Sequence, residues 1–190
     1  MRTSVSFVIS VLMIFCLGLL VGGCGTGPHP QPQGSCCGLW PSRRVQGYES
    51  ALKYRAGDLP AYKIVITLNP LSEHERNEFL QGFRTAYDDA NDSPKGEEYS
   101  TILRQSLEGG FYAEAIMQGG RYFRGETTDV RVQELISGSV GLSRSSGLAW
   151  KAGYIVGFAR EMAKQRAGFE ESFYRQGETK YNSLRGPLGV

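Results

Sequence analysis

Hydrophobic and polar positions alternate most clearly over Ala61–Leu68 (AYKIVITL). There Tyr62, Ile64, Ile66 and Leu68 share one parity, and Lys63, Val65 and Thr67 the other. A period of two predicts a β-strand. A lone strand is not stable, so it needs a partner: Val130–Val132, the Arg55 region, or an added strand from another protein. Asn69-Pro70 ends this stretch, and Ser72-x-x-Glu75 forms a capping-box signal that opens a helix. In that helix Phe79, Phe83 and Tyr87 recur every four residues, with Leu80 beside them, until Asn91-Asp92-Ser93-Pro94. A second helical stretch runs from about Glu97 to Gln118, where Gly109-Gly110 kinks or splits it. A third, short helix follows Thr128 through Val132, Leu135 and Ile136, and the Gly/Ser-rich residues 137–147 read as a loop.

The last major helix, residues 148–163 (LAWKAGYIVGFAREMA), is apolar on nearly every face; Lys151, Arg160 and Glu161 are the exceptions. Gly153 and Gly157 fall on one stripe of it and remove side-chain bulk, so another backbone can approach closely. The run is too short to span a bilayer, which makes it a central buried helix. A glycine–aromatic opening recurs at Gly82-Phe83, Gly110-Phe111 and Gly153-Tyr154, at no fixed period. The pattern as a whole predicts a mainly α fold: a compact helical domain over residues 51–190 with one short β-strand, preceded by a flexible tether.

The N-terminus is of a different kind. Arg2 precedes an apolar run over Val5–Leu20 that ends in Val21-Gly22-Gly23-Cys24. The run is short for a spanning helix and fits the h-region of a secretory signal. With its terminal small residues and cysteine, the segment resembles a bacterial lipoprotein signal peptide with its lipobox; Val21 replaces the commoner leucine. The resemblance implies cleavage of residues 1–23 and lipidation at Cys24, with palmitate-type acyl chains. Two or more chains, at about 0.8 kcal/mol per buried CH₂, anchor stably where one would be marginal. Gly25, in place of the aspartate associated with inner-membrane retention, implies the periplasmic face of the outer membrane.

Residues 24–50 carry Pro28, Pro30, Pro32 and several glycines, and read as a spacer. Cys36 and Cys37 lie within it as an adjacent pair. Adjacent alpha carbons stand about 3.8 Å apart against a disulfide mode of about 5.5–6 Å, so a bridge between the two is strained and labile. The alternatives are an intermolecular bridge, giving a homo-oligomer or a partner-linked form, and an inert or acylated pair. The bridge to a second chain is the use favoured here.

The 21 basic and 19 acidic residues leave a formal charge of +2, which provides no field to hold a phosphate backbone and argues against nucleic acid as a partner. With two histidines and four cysteines, nothing points to a cofactor or a metal. Asp88, Asp89, Asn91 and Asp92 fail the EF-hand template, since Pro94 stands where its glycine belongs. No phosphate loop, dinucleotide fingerprint or nucleophile elbow is present. His74 lies between two glutamates in a first helical turn, and His29 lies in the spacer. Two-carboxylate hydrolysis would draw on Glu108, Glu114, Glu126 and Asp129. The reading is therefore of an envelope lipoprotein held in the membrane by its lipid and binding an envelope protein partner. It would act without catalysis, as an accessory or assembly module of the kind used by secretion or conjugation machines. The alternative is a peptidoglycan-binding or peptidoglycan-hydrolysing protein.

Overall fold

The computed structural model describes residues 42–166, 168 and 170–186. The signal segment, Cys24, Cys36 and Cys37 lie outside the described residues. Within them the chain forms eight α-helices: α1 (Arg43–Ala56), α2 (Ala61–Leu68), α3 (Glu73–Asp88), α4 (Ser93–Glu108), α5 (Phe111–Phe123), α6 (Asp129–Leu142), α7 (Arg144–Gln165) and α8 (Glu171–Arg185).

No β-strand occurs among the described residues, and the alternating segment is helix α2. Its apolar set is denser than a half-buried strand requires. Tyr62, Ile64, Val65 and Leu68 are all buried, so both parities face protein. An apolar run of eight residues suits a buried helix as well as a strand, and the tertiary setting decides between them. A helix satisfies its own backbone groups, whereas a strand here has no neighbour to pair with.

Two further boundaries differ from the sequence reading. Residues 43–50, taken as the end of the spacer, belong to α1. That helix is capped by the Ser42 hydroxyl accepting from the Val45 N–H and packs on α3. Residues 137–147, read as a loop, are helical except at Ser143, which ends α6 and caps α7. The low helix propensity of this Gly/Ser run is overridden because Val132, Ile136 and Ser139 are buried, and α6 packs on α7 and α8. Gly109-Gly110 does split the second helical stretch, with Gly110 at φ +73 opening α5. The capping box at Ser72 and Glu75 is formed in both directions.

The body consists of two halves with the same packing plan. In each, the first helix packs on the third (α1 on α3, α5 on α7), the third on the fourth, and the second on the fourth. Both first-to-third crossings are made by reciprocal glycines. A Cβ added at Gly47 would clash with the Phe79 carbonyl, and one at Gly82 with that of Arg44. In the second half, Gly119 stands in the same way against Tyr154, and Gly157 against Ile116. On every one of these helices the glycine follows the contacted carbonyl by three residues. The sequences correspond accordingly: Gln46-Gly47 with Gln118-Gly119, and Phe79-Leu80-Gln81-Gly82-Phe83 with Tyr154-Ile155-Val156-Gly157-Phe158. Gly153 widens the second crossing, since its added Cβ would lie 2.8 Å from the Ala115 Cβ. The counterpart of Gly82 is thus Gly157, while Gly110 serves as a cap.

Helix α7 joins the halves by packing also on α2 and α4. Twelve of its 22 residues are buried, Trp150, Tyr154 and Ile155 among them. None of the described helices is long and apolar enough to cross a membrane.

Candidate functional site

A cleft of about 320 Å³ opens along the seam where the halves meet. That volume lies at the lower end of the range for small-molecule sites, about 300–1,000 Å³. The first half contributes Ile64 from α2, Phe83 from α3 and Leu103 from α4, all buried; the second contributes Leu148 from α7 and Tyr181 from α8. Val140 of α6, 37% exposed, stands at its edge, and two residues on, Leu142 is 68% exposed.

Among the described residues the charged groups lining the cleft are cations: Arg144, Lys151 and Arg185. Two of them are engaged by carboxylates. Arg144 Nη1 lies 2.6 Å from Glu98 Oε1, with its guanidinium 6.0 Å above the Tyr99 ring. Lys151 Nζ lies 3.0 Å from Glu178 Oε1 and 4.9 Å from the centre of the Tyr62 ring. The Tyr62 hydroxyl in turn donates to Glu178 Oε2 at 2.7 Å, which ties α2, α7 and α8 together. Arg185 forms no ion pair among the described residues. The helix ends near the mouth are of both polarities, since α7 begins there while α6 and α8 end. Their dipoles oppose one another, and the side-chain charges set the sign.

Burial alone would raise the Glu178 carboxyl. The hydrogen bonds from Tyr62 and Lys151, with the charges of Lys151 and Lys63, outweigh it and hold the group below the usual carboxylate range. Burial pushes the Tyr181 phenol up to about 12, with the Arg185 charge pulling the other way. Burial and then the Glu178 hydrogen bond raise Tyr62 beyond the ordinary phenol range. These phenols are neutral hydrogen-bonding groups at physiological pH.

The residues singled out by sequence fall elsewhere. Gly153 and Gly157 are consumed in the α5–α7 crossing. Asp89 accepts from the Tyr48 hydroxyl at 2.9 Å, which ties α1 to the end of α3, and Asp92 pairs with Lys95 at 3.1 Å within its own turn. Among the described residues no group of three or more His, Cys, Asp or Glu is placed to hold a metal. Glu126 is held by Arg124 at 2.6 Å, and Asp129 accepts from Tyr122 at 2.6 Å. Glu108 ends α4 and shares a separate hollow with Glu73, Arg76 and Arg104, whereas Glu114 is exposed on α5. His74 is exposed. The four hydrolase candidates are therefore not drawn into one cleft.

The cleft residues went unread in the sequence because they come from seven helices. One signal was present: Lys151 is a lone cation within an otherwise apolar face. Comparisons with family models, curated proteins and solved structures find no match for this chain.

Proposed function

We propose that the protein is a lipid-anchored envelope lipoprotein facing the periplasm. It works by binding, as an accessory or assembly module, and the seam cleft is its recognition site. The observation that supports this most is the cleft itself: an apolar hollow between two rigid halves, lined by cations and bordered by exposed Val140 and Leu142. The acids that hydrolysis would need are occupied in ion pairs and hydrogen bonds or dispersed, which favours binding over cell-wall hydrolysis. The lipobox at Val21–Cys24 supports anchoring, and outer-membrane placement follows from Gly25.

Two experiments test the reading. Cys24→Ser should leave an unprocessed precursor that takes up no labelled palmitate; a variant still cleaved and labelled like the parent would sink the anchor. A photo-crosslinking amino acid at Leu148 should capture an envelope component in living cells, while one at exposed Gln133 should not. Equal yields at the two positions would remove the cleft as the recognition site.

A further inference from the structure

We infer that the seam cleft takes a small amphiphile bearing one negative charge, with its carboxylate at Arg185 and an apolar chain against Ile64, Phe83 and Leu148. The inference rests on the reading of the cleft as the recognition site and adds the chemistry of its ligand. Charge fixes the head group. Glu98 neutralises Arg144 and Glu178 neutralises Lys151, so among the described residues Arg185 leaves the cleft one positive charge in excess. A carboxylate matches that charge, whereas a phosphate monoester carries nearly two negative units at neutral pH.

Volume and lining fix the tail. A hollow of about 320 Å³ is in the range of sites that hold a small organic molecule. Water at an apolar wall of Ile64, Phe83, Leu103 and Leu148 is displaced favourably by methylene groups, at about three- to fourfold in affinity per carbon. A chain of about eight to ten carbons fills such a space. Exposed Val140 at the edge extends the apolar path outward.

The test uses the full-length protein in its membrane fraction and a photoactivatable decanoate carrying a diazirine on its chain. Adducts are mapped by mass spectrometry. Labelling is expected on the segments that contain Ile102–Leu103 and Leu148. Decanoate should compete roughly tenfold better than decanol, decylamine should not compete, and octanoate should be about tenfold weaker than decanoate. Arg185→Gln, an exposed change that leaves the fold intact, should weaken decanoate roughly three- to fivefold and leave decanol unaltered. Leu148→Trp should fill the hollow and abolish labelling by the probe.

Labelling elsewhere, decanol equal to decanoate, or an Arg185→Gln variant indistinguishable from the parent would each overturn the inference. If cleft labelling fails while the Leu148 crosslink in cells persists, the carboxylate ligand is refuted and the binding module stands. If labelling succeeds without a cellular crosslink, the amphiphile site stands alone.

Discussion

The α5–α7 crossing makes a prediction whose sign depends on tertiary structure. In an isolated helix, Gly→Ala stabilises by about 1 kcal/mol. At Gly157 the added Cβ would lie 2.8 Å from the carbonyl carbon of Ile116 and nearer still to its oxygen; ordinary contact begins at 3.4 Å, so the overlap is 0.6 Å at the carbon and larger at the oxygen. The obstacle is backbone, so the two helices must part. A gap of about 0.5–1 Å forfeits a quarter to a half of each pair's roughly 0.1–0.2 kcal/mol. Over some tens of atom pairs the loss is on the order of 1–3 kcal/mol, the usual cost of overpacking. Gly157→Ala should therefore destabilise by up to about 2 kcal/mol net of the propensity gain, lowering Tm by up to roughly 6 °C. Gly138→Ala is the control. It lies within α6 with nothing within 4 Å of the added Cβ. It should raise Tm by about 2–3 °C. Thermal melts of the two variants decide the matter: if Gly157→Ala rises with Gly138→Ala, the close approach of α5 and α7 is refuted. The paired geometry predicts coupling as well. Gly119 sits on the same crossing, so Gly119→Ala with Gly157→Ala should cost less than the sum, whereas Gly47→Ala with Gly157→Ala should add to within about 0.5 kcal/mol.

The Glu178 carboxyl is held low in the folded state, so its contribution is complete above the unfolded value of about 4.3 and fades as pH falls through the folded one. Glu178→Gln should lower stability by about 1 kcal/mol at pH 7. In pH-resolved melts that difference should close in acid, and a constant gap down to pH ~2.5 would contradict the assignment. The Tyr154 hydroxyl is buried without a hydrogen-bond partner among the described residues. Tyr154→Phe should accordingly leave stability unchanged or raise it by about 1 kcal/mol in urea denaturation, and a loss of that size would reveal a partner. Ser72→Ala removes one side of the capping box and should cost about 1 kcal/mol by the same measurement.

Features set by short-range chemistry were legible in the sequence. Ser72 and Glu75 cap α3 because both lie within one turn, and Gly109-Gly110 divides α4 from α5 because glycine disfavours a continuous helix. The apolar span over residues 148–163 marked α7 as a buried helix. What the sequence left ambiguous were segments whose local preference is weak or balanced. AYKIVITL fits either period, and burial of Val65 beside Ile64 resolves it as helix. The Ser/Gly run after Leu135 has no strong preference, and three buried contacts hold it helical.

The sequence by itself determined that this chain would be mainly helical, with glycines where backbones meet, because periodicity and missing side chains act within a single element. Only the tertiary structure decided which backbones meet. Gly82 and Gly157 occupy equivalent crossings although Gly153 carries the closer local motif, since the equivalence depends on the Arg44 and Ile116 carbonyls of other helices. Tertiary structure likewise brought Arg144, Lys151 and Arg185 to one apolar cleft. Their charge balance depends on Glu98 and Glu178, and no spacing along the chain encodes that pairing.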